Sequence, residues 1–283
     1  MEADRGDEAD ARMTGSTMLP PRLRWALLGA AVRLRALRSE SREPTLPVSR
    51  LNEPWWRERL AAKRVALSHR DIRLLFIGDS LTHNWEISGS AAWSQYAAVW
   101  ERYYGHRSAA NLGYAGDMTG TVLWRLHDGE IDGVRPRLVV VLIGINDIIA
   151  EGKRAEAVVA NISAIIAALR QRLSDARILL LGLLPNRVFP WIARESARVN
   201  NLLAARDWTE GPVTYVDIGD ALKKDGRIDP SLFSDALTEP PAPVLLHPTA
   251  PAYDIIAQAL EPTIAQLLED DPVPANVAMQ TTL

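Results

Sequence analysis

The stretch Arg73-Leu74-Leu75-Phe76-Ile77-Gly78-Asp79-Ser80-Leu81-Thr82 decides how this chain folds. Arg73–Ile77 is a short apolar run that stops at a glycine. It lacks the alternation of a half-exposed strand, so it reads as a strand buried on both faces. Further runs of this kind lie at Leu138–Ile143, Ile178–Leu183 and Val213–Ile218, with a shorter one near Ser108–Leu112. Most are rich in Val, Ile and Leu, and they end near Gly, Asn, Asp or Pro. Helical periods separate them. The clearest puts Val158, Val159, Ile162, Ile165, Ile166, Leu169 and Leu173 on one stripe. A second runs through Ile255, Ile256, Ala259, Leu260, Ile264, Leu267 and Leu268, and a weaker one covers Ser196–Ala205. Strands alternating with helices predict right-handed βαβ units and an α/β fold, with a parallel sheet covered on both faces.

Outside this core the chain changes character. Residues 1–52 read as an N-terminal arm and linker, residues 53–269 as the folded domain and residues 270–283 as a tail. Within the arm, Arg22–Arg38 contains an apolar run, Trp25–Val32, too short for the roughly 20 residues a membrane-spanning helix needs. Its flanking arginines suggest a basic amphipathic helix, which leaves contact with a membrane surface open. A secretory leader is the competing reading, but no Ala-x-Ala-like cleavage site follows. A cytoplasmic location is therefore expected, with export or a periplasmic location the alternative. Thr238-Glu-Pro-Pro-Ala-Pro-Val is proline-rich and reads as neither helix nor central strand.

Composition narrows the chemistry. The 283 residues contain no Cys, five His and a net charge of −3. A thiol nucleophile, a disulfide and a Cys-ligated metal are excluded. The near-neutral charge argues against a nucleic-acid partner.

In doubly wound sheets, ligands bind at the carboxyl ends of the strands. Four segments are expected at that edge: Gly78-Asp79-Ser80-Leu81-Thr82, Gly113-Tyr114-Ala115-Gly116-Asp117, Gly144-Ile145-Asn146-Asp147, and His247 ahead of the last helix. Each alone is an ordinary turn or surface residue. Together they supply what acyl transfer needs. A serine hydroxyl becomes a nucleophile when a histidine takes its proton, and the tetrahedral intermediate needs donors aimed at its oxyanion. Ser80 N–H, Gly116 N–H and the Asn146 amide are the candidates. Asp79 and Asp147 are read as turn braces, and His83 as a helix-face residue or pocket lining. Trp85, Trp93, Trp124 and Trp191 are candidates for the core or for the wall of an acyl or sugar site.

These blocks resemble the SGNH (GDSL) hydrolase family over roughly Trp55 to Leu268. Ile77-Gly-Asp-Ser-Leu-Thr is similar to its nucleophile block, and Asn111-Leu-Gly-Tyr-Ala-Gly-Asp to its glycine block. Gly144-Ile-Asn-Asp and His247-Pro-Thr-Ala are similar to the remaining two. Within the family, Val122-Leu-Trp-Arg-Leu-His-Asp-Gly-Glu, Arg135-Pro-Arg-Leu-Val-Val-Val and Leu181-Gly-Leu-Leu-Pro most resemble the catalytic subunits of the intracellular platelet-activating-factor acetylhydrolase and bacterial relatives. The resemblance implies a flavodoxin-like, three-layer α/β/α sandwich with a doubly wound sheet of about five parallel strands. It implies Ser80 as nucleophile and His247 as base, with Ser80, Gly116 and Asn146 forming the oxyanion hole. No metal or organic cofactor is implied, and the acetylhydrolase relatives suggest a homodimer.

One position departs from the family pattern. Where the family places an Asp three residues before its His, this chain has Val244. Asp235 is the favoured acid and Glu239 the alternative, with the proline-rich stretch as an insertion between acid and base; a dyad without an acid would be a poor enzyme. The expected activity is hydrolysis of short-chain esters, acetyl above all, of a lipid, sugar or small alcohol. Leu81 and Leu246 are the expected walls of a small acyl pocket. The competing functions are a carbohydrate acetylesterase and a non-catalytic binding module on the same fold.

Overall fold

The structure is a computed structural model and describes residues 46–69, 71–88, 94–208, 211, 213–234 and 244–274. The expected helix at 22–38, the acid candidates Asp235 and Glu239, Trp93 and most of the proline-rich stretch lie outside the described residues. Among the described residues the first helix is α1 (Pro54–Ser68), which leads to strand β1 (Leu74–Gly78). A single turn of helix, α2 (Ser80–His83), leads to α3 (Ser94–Tyr104) and β2 (Ala109–Gly113). Then follow α4 (Thr119–His127), β3 (Leu138–Leu142), α5 (Ile145–Glu151), α6 (Ala155–Arg172) and β4 (Arg177–Leu181). The remaining large elements are α7 (Pro190–Ala204), β5 (Val213–Val216) and α8 (Ala250–Leu268).

The five strands form one parallel sheet in the order β2-β1-β3-β4-β5. β1 and β3 are buried along their whole length, whereas the edge strand β5 is half-buried throughout. This is why the central runs carry no polar alternation: both faces of Leu74–Ile77 and Leu138–Leu142 meet helices. α4, α6 and α7 pack side by side as one group, and α3 packs against α8 as another, so the helices make two outer layers. The apolar stripe predicted on 158–173 is buried in the observed α6.

The topology positions the site. The chain moves from β1 to β2 on one side, then returns to β3 on the other. The strand order therefore reverses between β1 and β3, and the loops leaving those two strands diverge and open a crevice. Short ladders complete the fold: β6 (Lys223–Lys224) pairs with β7 (Arg227–Ile228), and β8 (Phe233–Ser234) pairs with β9 (His247–Pro248).

Candidate active site

The Ser80 turn follows from close packing at the end of β1. A Cβ on Gly78 would lie 2.1 Å from Thr82 Oγ1 and 2.4 Å from the Leu142 carbonyl, so only glycine lets the chain turn there. Asp79 Oδ1 then accepts the Leu81 N–H at 2.9 Å and caps α2. Ser80 is the first residue of that turn, and among the described residues its N–H has no hydrogen-bond partner.

Neighbouring elements hold this turn from below. Gly113, at the end of β2, lies so close that a Cβ would stand 2.1 Å from His83 N. Asn111 donates from Nδ2 to the Thr82 carbonyl at 2.7 Å and accepts the Gly113 N–H at 2.8 Å. The Tyr253 hydroxyl donates to the Leu81 carbonyl at 2.7 Å.

His247 reaches the same place from the far end of the chain. It sits in β9, where it pairs with Ser234, while Thr249 N–H donates to the Leu232 carbonyl at 2.9 Å. Ser80 Oγ and His247 Nε2 are 3.0 Å apart, within hydrogen-bond reach. Burial holds the His247 ring below its ordinary pKa of 6.5, so it is neutral near pH 7 and able to accept a proton.

Two further predicted residues belong to the glycine loop, which His83 ties to α2, and to the α5 turn bonded to that loop. Gly116 has φ +76°, a left-handed conformation that favours glycine, and among the described residues its N–H has no partner. Asn146 stands in the first turn of α5 and donates from Nδ2 to the Asp117 carbonyl at 2.9 Å, which fixes its amide and leaves its second N–H. Asp147 next to it accepts from the Thr119 N–H at 2.9 Å, from the Thr119 hydroxyl and from Lys153. Asp79 and Asp147 thus brace turns.

Several residues differ from a simple pocket-lining role. Leu81 is buried in the hydrophobic core, while Leu246 is half-buried and packs against that core. Trp85 is also buried, edge-on to Tyr253 at 4.4 Å, and Trp124 packs on Trp56 at 5.7 Å. His83 supports the glycine loop: its Nδ1 accepts the Ala115 N–H at 3.3 Å. Burial, aided by Arg59 and Lys63 nearby, pushes its pKa down to about 4, so it remains a neutral acceptor. Sequence reading misses Arg50 and Arg59. Arg59 Nε donates to the Gly113 carbonyl at 2.8 Å, and Arg50 contacts the Gly116 loop. No local motif marks either one.

The fold and this serine–imidazole pair at the carboxyl edge of the sheet define a carboxylic ester hydrolase. The chain belongs to the GDSL-like lipase/acylhydrolase family, whose model matches residues 76–255. It is 32% identical over 208 residues to the platelet-activating factor acetylhydrolase IB subunit alpha2 of Gallus gallus, covering 73% of this chain and 82% of that one. The human alpha2 subunit (Homo sapiens) is 33% identical over 201 residues, covering 70% and 79%. The fold also matches a solved structure from Streptococcus pneumonia, with a TM-score of 0.60, 22% identity, and 76% and 96% of the two chains covered. A GDSL-like lipase from Bacteroides thetaiotaomicron aligns with a TM-score of 0.54, at 19% identity, over 74% and 97%. The resemblance read from the four sequence blocks therefore holds, as does the five-stranded parallel fold it implied.

Proposed function

We propose that this chain hydrolyses short-chain esters, above all acetyl esters, through an acyl-enzyme on Ser80. The observation that carries this is the 3.0 Å approach of Ser80 Oγ to His247 Nε2; in support, the N–H groups of Ser80 and Gly116 have no partner among the described residues. In the first step the Ser80 oxygen attacks the ester carbonyl while its proton passes to His247 Nε2. The carbonyl oxygen becomes an oxyanion, held by Ser80 N–H, Gly116 N–H and the Asn146 amide. Collapse expels the alcohol, which takes the proton from His247 and leaves the acyl group on Ser80. Water then attacks that acyl group, with His247 as base, and releases the acid.

Asp235 is the orienting acid in this scheme. Its support is connectivity: it directly follows Ser234, the cross-strand partner of His247. The preference for acetyl rests on the platelet-activating factor acetylhydrolase subunits, at 32–33% identity.

The test is hydrolysis of a series of aryl esters by the full chain. Wild type is expected to cleave the acetate, with kcat/KM falling as the acyl chain lengthens to octanoate. Ser80→Ala is expected to lower kcat by at least ~10³-fold. Unchanged turnover in that variant would overturn Ser80 as the nucleophile, whereas no turnover and no covalent labelling of wild type by a fluorophosphonate would leave a non-catalytic binding module instead. Faster release of acetate from acetylated xylan than from the aryl ester would make the substrate a carbohydrate.

A further inference from the structure

The segment ahead of α1 reads in sequence as linker, yet one of its side chains reaches the glycine loop. Arg50 Nη1 donates to the Ala115 carbonyl at 2.9 Å and to Asp117 Oδ1 at 2.8 Å. The guanidinium therefore grips the loop on both sides of Gly116. It lies so close that a Cβ on Gly116 would stand 3.4 Å from Nη2. Arg50 is itself held in place. Its Nε and Nη2 donate to the two carboxylate oxygens of Glu53, at 2.8 and 2.7 Å. Its guanidinium also lies over the Trp55 ring, 5.4 Å from the centroid. Nearby, Val48 N–H donates to the Gly120 carbonyl at 3.0 Å, so the strap is pinned at a second point.

The decisive detail is which peptide Arg50 touches. The Ala115 carbonyl and the Gly116 N–H belong to one planar amide. In a trans peptide these two groups point in opposite directions across the plane, and no described peptide here is cis. A cation on the carbonyl side therefore does two things to the N–H side. It fixes the rotation of the amide plane, and so the direction of the N–H. It also draws electron density toward oxygen, which makes the N–H a stronger donor, as in any chain of hydrogen bonds. Ala115 N–H is anchored in turn on His83 Nδ1, so the loop cannot rotate freely about Arg50.

We infer that Arg50 is a positioning residue for the oxyanion hole, acting through the Ala115–Gly116 peptide to aim and strengthen the Gly116 N–H. This inference rests on the proposed esterase reading. It assigns a role in turnover to a segment outside the motif blocks. The donor stays in place when Arg50 is removed, so the loss is smaller than that from deleting a donor outright, which costs about 10²–10³ in kcat.

The experiment uses the full chain and an aryl acetate. Arg50→Met is expected to lower kcat about tenfold to thirtyfold, with KM within twofold of wild type, because a contact to the oxyanion matters only in the transition state. Affinity for an aryl trifluoromethyl ketone, which adds to a serine and carries an oxyanion, is expected to fall by the same factor. Arg50→Lys, which keeps a cationic donor, is expected to recover part of both. Should Arg50→Met fail to fold, Glu53→Gln loosens the grip on Arg50 and is expected to show the same split with a smaller amplitude. A kcat within twofold of wild type in the folded Arg50 variant overturns the inference. So does a fall in kcat that leaves the ketone affinity unchanged, since that marks a merely structural tie. Wild type without turnover that depends on Ser80 overturns the esterase reading along with it, so the two failures are distinguishable.

Discussion

Asp79 has two carboxylate oxygens with different fates. Oδ1 caps the turn that presents Ser80, whereas Oδ2 is buried with no hydrogen-bond partner among the described residues. Burial, reinforced by Asp117 and Asp147 nearby, pushes its pKa from 3.8 up to about 7. A carboxyl with a higher pKa in the folded state favours folding while protonated. That contribution is fully present below about pH 4 and is lost as pH rises to about 7. An asparagine keeps an oxygen acceptor for the Leu81 N–H and cannot ionise. The melting temperature of Asp79→Asn relative to wild type is therefore expected to rise from pH 4.5 to pH 8. Melting curves at the two pH values check this, and a constant difference would show that Asp79 does not titrate in that window. At this scale the sequence was readable where chemistry and chain neighbourhood coincide. Ser80, Asp79 and Gly78 adjoin one another, and a strand ending in glycine announces the turn. Arg50 was not readable, because its partner Asp117 lies 67 positions away and no local pattern encodes that pairing.

The elements show the same division. β1, β3 and α6 were legible because burial on both faces of a strand, or on one stripe of a helix, leaves a periodic record. The two-residue ladder between β8 and β9 leaves none, although it sets His247 opposite Ser234. It is too short for a period, and Val244 stands where a family-pattern acid would be. In the sequence the proline-rich stretch lies between these two strands, and both candidates for the proposed acid, Asp235 and Glu239, fall in that interval. Asp235 adjoins the ladder, whereas Glu239 is four positions further along the chain. Added loop length costs little closure free energy, so an insertion here is tolerable. Asp235→Asn is expected to lower kcat by about 10²–10⁴, following the effect of losing an orienting aspartate, while Glu239→Gln stays within about threefold of wild type. Steady-state kinetics on one aryl acetate compares them, and the reverse ordering would assign the acid to Glu239.

At the scale of the whole molecule, a buried charged cluster links the site to the helices behind it. Arg125 on α4 is fully buried, pairing with Asp117 at 3.0 Å and with Glu130. Its guanidinium also lies 4.1 Å from the Tyr114 ring centroid, and the Tyr114 hydroxyl donates to Glu130. Asp117 accepts in addition from Trp56 Nε1 on α1 at 2.8 Å and from Arg50. Through its backbone carbonyl it holds Asn146. One carboxylate thus gathers α1, α4 and the Arg50 strap behind the glycine loop, and its own carbonyl carries that order to Asn146. The cluster spans elements that are distant in sequence, so it is invisible to any reading by windows. Its energetics follow from burial. Arg125→Met removes the cation and strands the Glu130 carboxylate in the interior, with Arg50 left as the one cationic partner of Asp117 among the described residues. Breaking a buried pair in this way costs about 3–5 kcal/mol. For a domain of this size that corresponds to a fall in melting temperature of roughly 6–20 °C. Urea unfolding of the variant beside wild type measures it. A loss below about 1 kcal/mol, the range of exposed ion pairs, would show that the cluster is not the brace its burial indicates.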